Sequence, residues 1–407
     1  MGTVLIIVFV AVLVLVGVSL ALGRMTHQVE SAPETEYLEL EGTWVRYGVT
    51  GGGPPVVLVH GWLSSSRIWE QLAGRLAQRF TVYTLDLSGF GDSDKPLSGY
   101  GIRYGSRLLY AFCAHFGLTH ASVVGHDLGG NMAIKLAADH PDVVGRLVVV
   151  AAPAQEDQID LPTPLWLATL PVIGPLFYML GKALRPVRVL WMRPFVADPD
   201  DLPEEVVEDA ARSTPAAVSK TLRVARRELS GGRLARQARM VRVPALIVAG
   251  EEDQIVDPHS AAVWGRSLEQ SEVCLMEGCG HLPMVERVAE FNAQILAFLT
   301  GDARYLDYVE RFPGAAGEEP TEPVEPPPAH EEEREEEEPG TAAGKEEIRR
   351  LRNGRSGSKA GDGRIFPEVP ENLFEWPGGW EEFQSGRRRR RPGDEGTGGK
   401  EEDEPGS

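Results

Sequence analysis

Cysteine is scarce: Cys113, Cys274 and Cys279 are the whole supply in 407 residues, an odd number with no metal-ligand spacing. That excludes a disulfide framework and a thiolate zinc site, and it fits free, mostly buried thiols in a reducing compartment. The chain also lacks any phosphate-cradling or nucleotide-binding glycine motif, so no metal and no cofactor is expected. Also absent is a lysine or arginine ahead of the one long apolar run, Val4 to Leu22. Its 19 residues are long for a signal peptide, which ordinarily opens on basic charge. At helical rise they span roughly 28 Å, close to a bilayer core. A single-pass transmembrane anchor over residues 1–24 is therefore expected, with cleavage near Ser19-Leu20-Ala21 as the alternative. Arg24 is the only nearby base, which leans the remainder of the chain toward the cytoplasmic side.

Basic charge is in deficit overall, 41 Lys and Arg against 60 Asp and Glu, for a net −19. The deficit is mostly local, because residues 301–407 carry roughly −12 of it and so say little about a ligand. From about Gly314 onward Pro, Gly, Glu and Arg dominate, a composition that cannot offset the entropy of ordering. Residues 311–407 are expected to be a disordered charged tail. Its arginine run, Arg387 to Arg391, lies between acidic blocks, so no nucleic acid partner is expected. An aromatic island from Ile365 to Trp380 offers either a docking motif for an unidentified partner or chance clustering.

Between a linker at 25–34 and that tail, strand and helix patterns alternate. Two short strands, Tyr37–Leu40 and Thr43–Tyr47, flank Glu41-Gly42 as a hairpin. Strands follow at Pro55–Val59, Thr81–Asp86, Ala121–Gly125, Val143–Ala151, Pro244–Gly250 and Glu272–Glu277. Helical patterns separate them at Ser66–Arg79, Ser106–Phe116, Met132–Asp139 and His259–Leu268, and another, Val285–Leu299, closes the series. This is an α/β fold, a mostly parallel sheet with helices on both faces. The alternation breaks from 154 to 242, where only helical and Pro-punctuated stretches occur, including Gly181–Met192. The core is thus predicted over 35–153 and 243–310, with 154–242 as a helical lid over the sheet's C-terminal edge, where such sheets bind ligands.

Gly125-His126-Asp127-Leu128-Gly129-Gly130 sits between a strand and a helix, the setting in which a tight turn presents its central side chain to a cleft. Taken with His60-Gly61-Trp62, Asp86 to Pro96, Gly250-Glu251-Glu252-Asp253 and Gly278-Cys279-Gly280-His281, it resembles the α/β-hydrolases over about residues 35–300. Aspartate at the turn is similar to the branch holding haloalkane dehalogenases and epoxide hydrolases. The resemblance implies Asp127 as nucleophile, His281 as base and Asp253 as the acid orienting it. Asp257 competes for that last role, with Glu156 and Asp157 further alternatives. It also implies an oxyanion hole from the backbone N–H groups of Trp62 and Leu128.

The residue type carries its own argument. A carboxylate is ionised at neutral pH and attacks without a base. On an ester it would give a high-energy anhydride, whereas on carbon bearing a halide or epoxide oxygen it gives an ordinary alkyl ester. The expected substrate is thus a small lipophilic organic electrophile. Two lid tyrosines usually assist epoxide opening, and here the lid holds only Tyr178. The tryptophan that often follows a dehalogenase nucleophile is Leu128. Trp166, Tyr178 and Trp191 are the candidate leaving-group pocket, with plain apolar packing as the alternative. Leu161–Leu180 is nearly uncharged, with Lys182, Arg185, Arg188 and Arg193 close behind. The simpler expectation is a helix pair packed on the core with a solvated basic face; the alternative is a surface resting on lipid headgroups. A non-catalytic binding or scaffold protein of the same fold, or a hydrolase of another bond type, is the competing function.

Overall fold

A computed structural model describes residues 2–27 and 36–306. Most of the predicted linker, the tail beyond 306 and the aromatic island lie outside the described residues. The first helix, α1 (Gly2–Leu22), is the one helix among the described residues long and apolar enough to cross a membrane. Its side chains are largely exposed until the last turn, where Ser19 is buried.

Eight strands form one sheet: β1 (Glu36–Leu40), β2 (Thr43–Gly51), β3 (Pro55–Val59), β4 (Thr81–Leu85), β5 (Ala121–His126), β6 (Val144–Val150), β7 (Ala245–Gly250) and β8 (Ser271–Met276). Their order is β1-β2-β4-β3-β5-β6-β7-β8. β1 and β2 run antiparallel to their neighbours and all other pairs are parallel. The hairpin turn is Glu41-Gly42, both at positive φ (50° and 73°), the backbone a two-residue loop requires to match strand twist. β2 runs four residues past its predicted end because Gly48 to Gly51 pair with β4, a tertiary partner that local composition does not announce. Central strands such as β3 and β5 are apolar and buried because helices cover both faces.

Those helices are α2 (Glu70–Leu76), α3 (Ile102–His115) and α4 (Leu128–Asp139). Between β6 and β7 come α5 (Thr163–Thr169), α6 (Gly174–Ala183), α7 (Arg185–Met192), α8 (Glu204–Asp209), α9 (Pro215–Leu229) and α10 (Arg233–Ala238), with no named strand. After β7 follow α11 (His259–Ser267), α12 (Pro283–Glu286) and α13 (Val288–Thr300). The helical, Pro-punctuated stretch Gly181–Met192 spans the end of α6 and all of α7, parted at extended Leu184, because Pro186 has no N–H to continue the α6 ladder and sits in the first turn of a new helix. The lid is tied to the core by a few polar links. The Trp62 indole N–H donates to the Val218 carbonyl (3.0 Å), Arg67 pairs with Glu208 and buried Asp209, and Arg212 reaches Asp92.

Candidate active site

The strand β5 hands over to α4 in a single residue, Asp127, held at φ 50°, ψ −123°. That conformation costs a non-glycine residue on the order of 1–3 kcal/mol, so the surroundings must enforce it. Glycines supply the room. A Cβ at Gly125 would lie 2.5 Å from the Gly129 carbonyl oxygen, one at Gly129 would lie 2.4 Å from that of His60, and one at Gly61 would lie 2.6 Å from the Asp127 Cβ. His60-Gly61-Trp62 is thereby pressed against the turn.

Asp127 is nearly buried, and its Oδ2 accepts the backbone N–H of Trp62 at 2.9 Å. The Leu128 N–H, next along the turn, also helps to hold the charge of this carboxylate. Burial pushes the carboxyl above its ordinary value, and this outweighs the opposing pull of His281 and the two N–H donors.

His281 follows β8 and is fully buried, with Nδ1 2.9 Å from Asp253 Oδ2. Asp253 follows β7, and its other oxygen accepts the N–H groups of Ile255 (2.8 Å) and Val256 (2.9 Å), which leaves Oδ2 aimed at the histidine. With Nδ1–H donated to Asp253, Nε2 carries the imidazole lone pair, and no group among the described residues bonds it. Burial works to depress this imidazole, but the combined pull of Asp253, then Asp127 and Glu286, holds it above its usual value. Asp127, His281 and Asp253, far apart in sequence, thus meet at the C-terminal ends of β5, β8 and β7. Asp257 instead accepts the backbone N–H and ring Nδ1 of exposed His259, while Glu156 and Asp157 belong to a short turn at 156–158.

The remaining buried histidines hold loops. His60 donates Nδ1–H to the Gly61 carbonyl (2.8 Å) and accepts the Leu87 N–H at Nε2 (2.8 Å). His126 donates Nε2–H to the His281 carbonyl (2.9 Å). Burial depresses both imidazoles, so they stay neutral.

Sequence reasoning missed Glu286. Its carboxylate collects three backbone amides, those of Gly280 (2.9 Å), Leu282 (2.9 Å) and Ala197 (2.7 Å), clamping the chain on both sides of His281 to the exit of α7. The only available cue was an acid in a short helix opened by Pro283. A cavity beside Trp62 and Leu128 was also missed; Leu108, Met132, Tyr100 and Tyr104 line much of it. Its tyrosines lie in the core and not in the lid. The Tyr100 hydroxyl donates to the Pro96 carbonyl, and that of Tyr104 pairs with Thr43.

The residues expected to form the leaving-group pocket lie away from this cavity. Trp166, Tyr178 and Trp191 do not line this cavity. Tyr178 and Trp191 are fully buried and stack on each other at 5.7 Å, with the Tyr178 hydroxyl donating to the Ala210 carbonyl, while Trp166 is exposed on α5. Short lid helices have to make a core of their own, and these rings make it. From the lid side Phe195 meets His281 edge-on at 5.4 Å, and the His126 ring lies 4.6 Å from it.

Against known proteins, the family model for the alpha/beta hydrolase fold matches residues 54–288. An uncharacterised protein of Mycobacterium tuberculosis is 28% identical over 310 residues, 72% of this chain and 83% of its own length. A soluble epoxide hydrolase of Corynebacterium sp. (strain C12) is 38% identical over 111 residues, 27% of this chain and 39% of that protein. Among solved structures, a membrane phospholipase A described as a bacterial virulence factor superposes with a TM-score of 0.56 at 23% identity, covering 74% of this chain and 97% of that one.

Proposed function

We propose, for a chain that belongs to the alpha/beta hydrolase fold family by its match over residues 54–288, a cofactor-independent hydrolase in which Asp127 attacks carbon. The observation that carries this reading is the Trp62 N–H on Asp127 Oδ2. One carboxylate oxygen already occupies the anion-binding position, which leaves Oδ1 to attack.

In the first step Oδ1 bonds to a carbon bearing a halide or an epoxide oxygen, and the breaking bond's electron pair departs with that group. Oδ2 then becomes the carbonyl oxygen of an alkyl ester without moving. In the second step His281 Nε2 takes a proton from water, and the hydroxide formed attacks the ester carbonyl carbon. The negative charge develops on Oδ2, where the Trp62 and Leu128 amides receive it. Collapse expels the alkoxide, which takes back the proton from His281 Nε2 and leaves as the alcohol, while the Asp127 carboxyl gives its proton to solvent and returns to carboxylate; Asp253 stabilises the imidazolium between the two proton transfers. The substrate class is a small lipophilic haloalkane, haloacid or epoxide. The stretch shared with an epoxide hydrolase favours the last, and the absence of a lid tyrosine from the cavity speaks for the others.

The same proposal reads α1 as a single-pass anchor, with the globular part on the cytoplasmic side by the single charge of Arg24.

The test is His281→Gln in the full chain, incubated with a panel of haloalkanes, haloacids and epoxides and weighed intact. Alkylation without hydrolysis leaves a substrate-sized adduct on Asp127, and peptide mapping locates it. A folded variant that acquires no mass, beside a wild-type protein that turns over none of the panel, would point to a non-catalytic binding protein instead.

A further inference from the structure

Ser19 is the one buried residue in the second half of α1. Its hydroxyl donates to the Val172 carbonyl at 2.5 Å and accepts the N–H of Leu176 at 3.1 Å. Leu176 lies in the first turn of α6, whose amides have no partner within the helix. Ser19 completes their satisfaction: Gly174 donates to Leu170 (3.0 Å), Phe177 donates to Ile173 (3.1 Å), and Pro175 has no N–H. No amide in that turn depends on water, which is the condition for placing backbone at membrane depth.

Depth follows from α1 itself. Ser19 stands three residues before Leu22, about 5 Å inside the helix end at helical rise. A helix of this length just matches a bilayer core, so groups bonded to Ser19 share its position near the apolar boundary. The lid surface there is apolar. Ile173 at the start of α6, Leu180 within it and Leu184 just past its end are 50%, 60% and 56% exposed, and Val172 beside Ile173 is 43% exposed. Four large apolar side chains so exposed along one short segment are unusual on a water-facing surface.

We propose that the α5–α6 edge of the lid, from Val172 through Leu184, lies in the interfacial layer of the bilayer, joined to the spanning helix through Ser19. The lid is then a monotopic surface in its own right and not a solvated helix pair. This rests on the anchor reading of α1 but not on the chemistry at Asp127. It places this edge of the lid next to lipid.

The full chain carrying Cys274→Ser and a single added cysteine at Ile173→Cys or Leu180→Cys is labelled with an environment-sensitive fluorophore, Cys113 and Cys279 being buried. It is reconstituted into phosphatidylcholine–phosphatidylglycerol vesicles containing nitroxide-bearing lipids. Leu13→Cys serves as the deep control and Glu269→Cys as the exposed one. Labels at 173 and 180 are expected to be quenched several-fold more than the label at 269, best by a nitroxide near the headgroup. Ser19→Val should reduce the quenching at 173 while the protein stays in the membrane pellet. Water-like emission at 173 and 180 beside a deeply quenched label at 13 overturns the docking alone. A blue shift without lipid quenching overturns it in favour of a second copy of the chain on this face. Loss of residues 1–22 from the membrane-extracted protein, read by intact mass, overturns the docking and the anchor together.

Discussion

The loops at the C-terminal ends of β5, β7 and β8 and the helices between β6 and β7 are both irregular connections on one sheet, yet they are determined differently. In the first group a buried strand delivers the chain to a fixed point, and a short turn sets one side chain there. Asp127, Asp253 and His281 lie within a few residues of a strand end, so their convergence follows from strand order. In the lid, six helices, five of them ten residues or shorter, pack largely on one another, and residue type alone does not tell whether a ring faces the site or the lid's own interior.

The comparison is broken most directly at the turn. Asp127→Asn should lower turnover on the order of 10⁴-fold or more, since the amide is no nucleophile and the triad acts as a unit. The fold should stay intact, because the amide oxygen still accepts the Trp62 N–H. A residual rate within tenfold of wild type, in protein checked by mass for deamidation, would remove the chemical role assigned to the strand-end loops.

Asp253→Asn is expected to cost about 10³–10⁴-fold in hydrolysis of the ester and to move its pH dependence. His281 works as a base when neutral, so the rate falls as pH drops through its pKa. After burial, which opposes it, Asp253 is the largest influence holding that value above the usual imidazole range. The acid limb of wild type should therefore lie above about pH 6.5 and shift downward in the variant. Stability follows the same sign. An imidazole raised by folding contributes fully below its unfolded value and loses that contribution as pH rises through the folded one. Denaturant melts across neutral to mildly alkaline pH should show a steeper loss in wild type than in Asp253→Asn.

Gly61→Ala comes next, at roughly 10²–10³-fold in turnover with a stability loss of about 1–3 kcal/mol. The added methyl would sit 2.8 Å from Asp127 Oδ2 and displace the carboxylate from the Trp62 amide. Single-turnover rates and a urea melt measure the two effects, and the matching lid change, Trp166→Ala, should alter neither by a comparable amount.

How much of this was legible in the sequence follows the same division. Every strand of the sheet was predicted to within a few residues, because a buried strand flanked by glycine or proline is written locally. The Asp127 turn was legible for the same reason, three glycines standing where the backbone crowds itself. Glu286 was not, since its three amide partners come from two segments that only the folded chain brings together. The break at Leu184 was signalled by Pro186, but the direction of Tyr178 and Trp191 was set by their packing on each other, which no periodicity records. The docked face of α6 was half legible: its apolar character stands in the sequence, and its junction with Ser19 does not.

The smallest expected effect tests the lid side. Tyr178 is the only tyrosine in the lid and so the only lid phenol for protonating an epoxide's alkoxide. Its hydroxyl is already committed to the Ala210 carbonyl at 2.8 Å, and burial pushes the phenol further above its ordinary value, making it a poorer acid. Tyr178→Phe should therefore leave kcat/KM unchanged within about twofold on haloalkanes and epoxides alike. It should cost roughly 1–3 kcal/mol of stability by stranding a buried carbonyl. A hundredfold loss confined to epoxides, with haloalkane turnover intact, would mean that the lid opens enough to bring Tyr178 to the cavity. The division between strand-end loops that carry chemistry and a lid that packs on itself would then fail at that residue, and the leaving group would be identified as an epoxide oxygen.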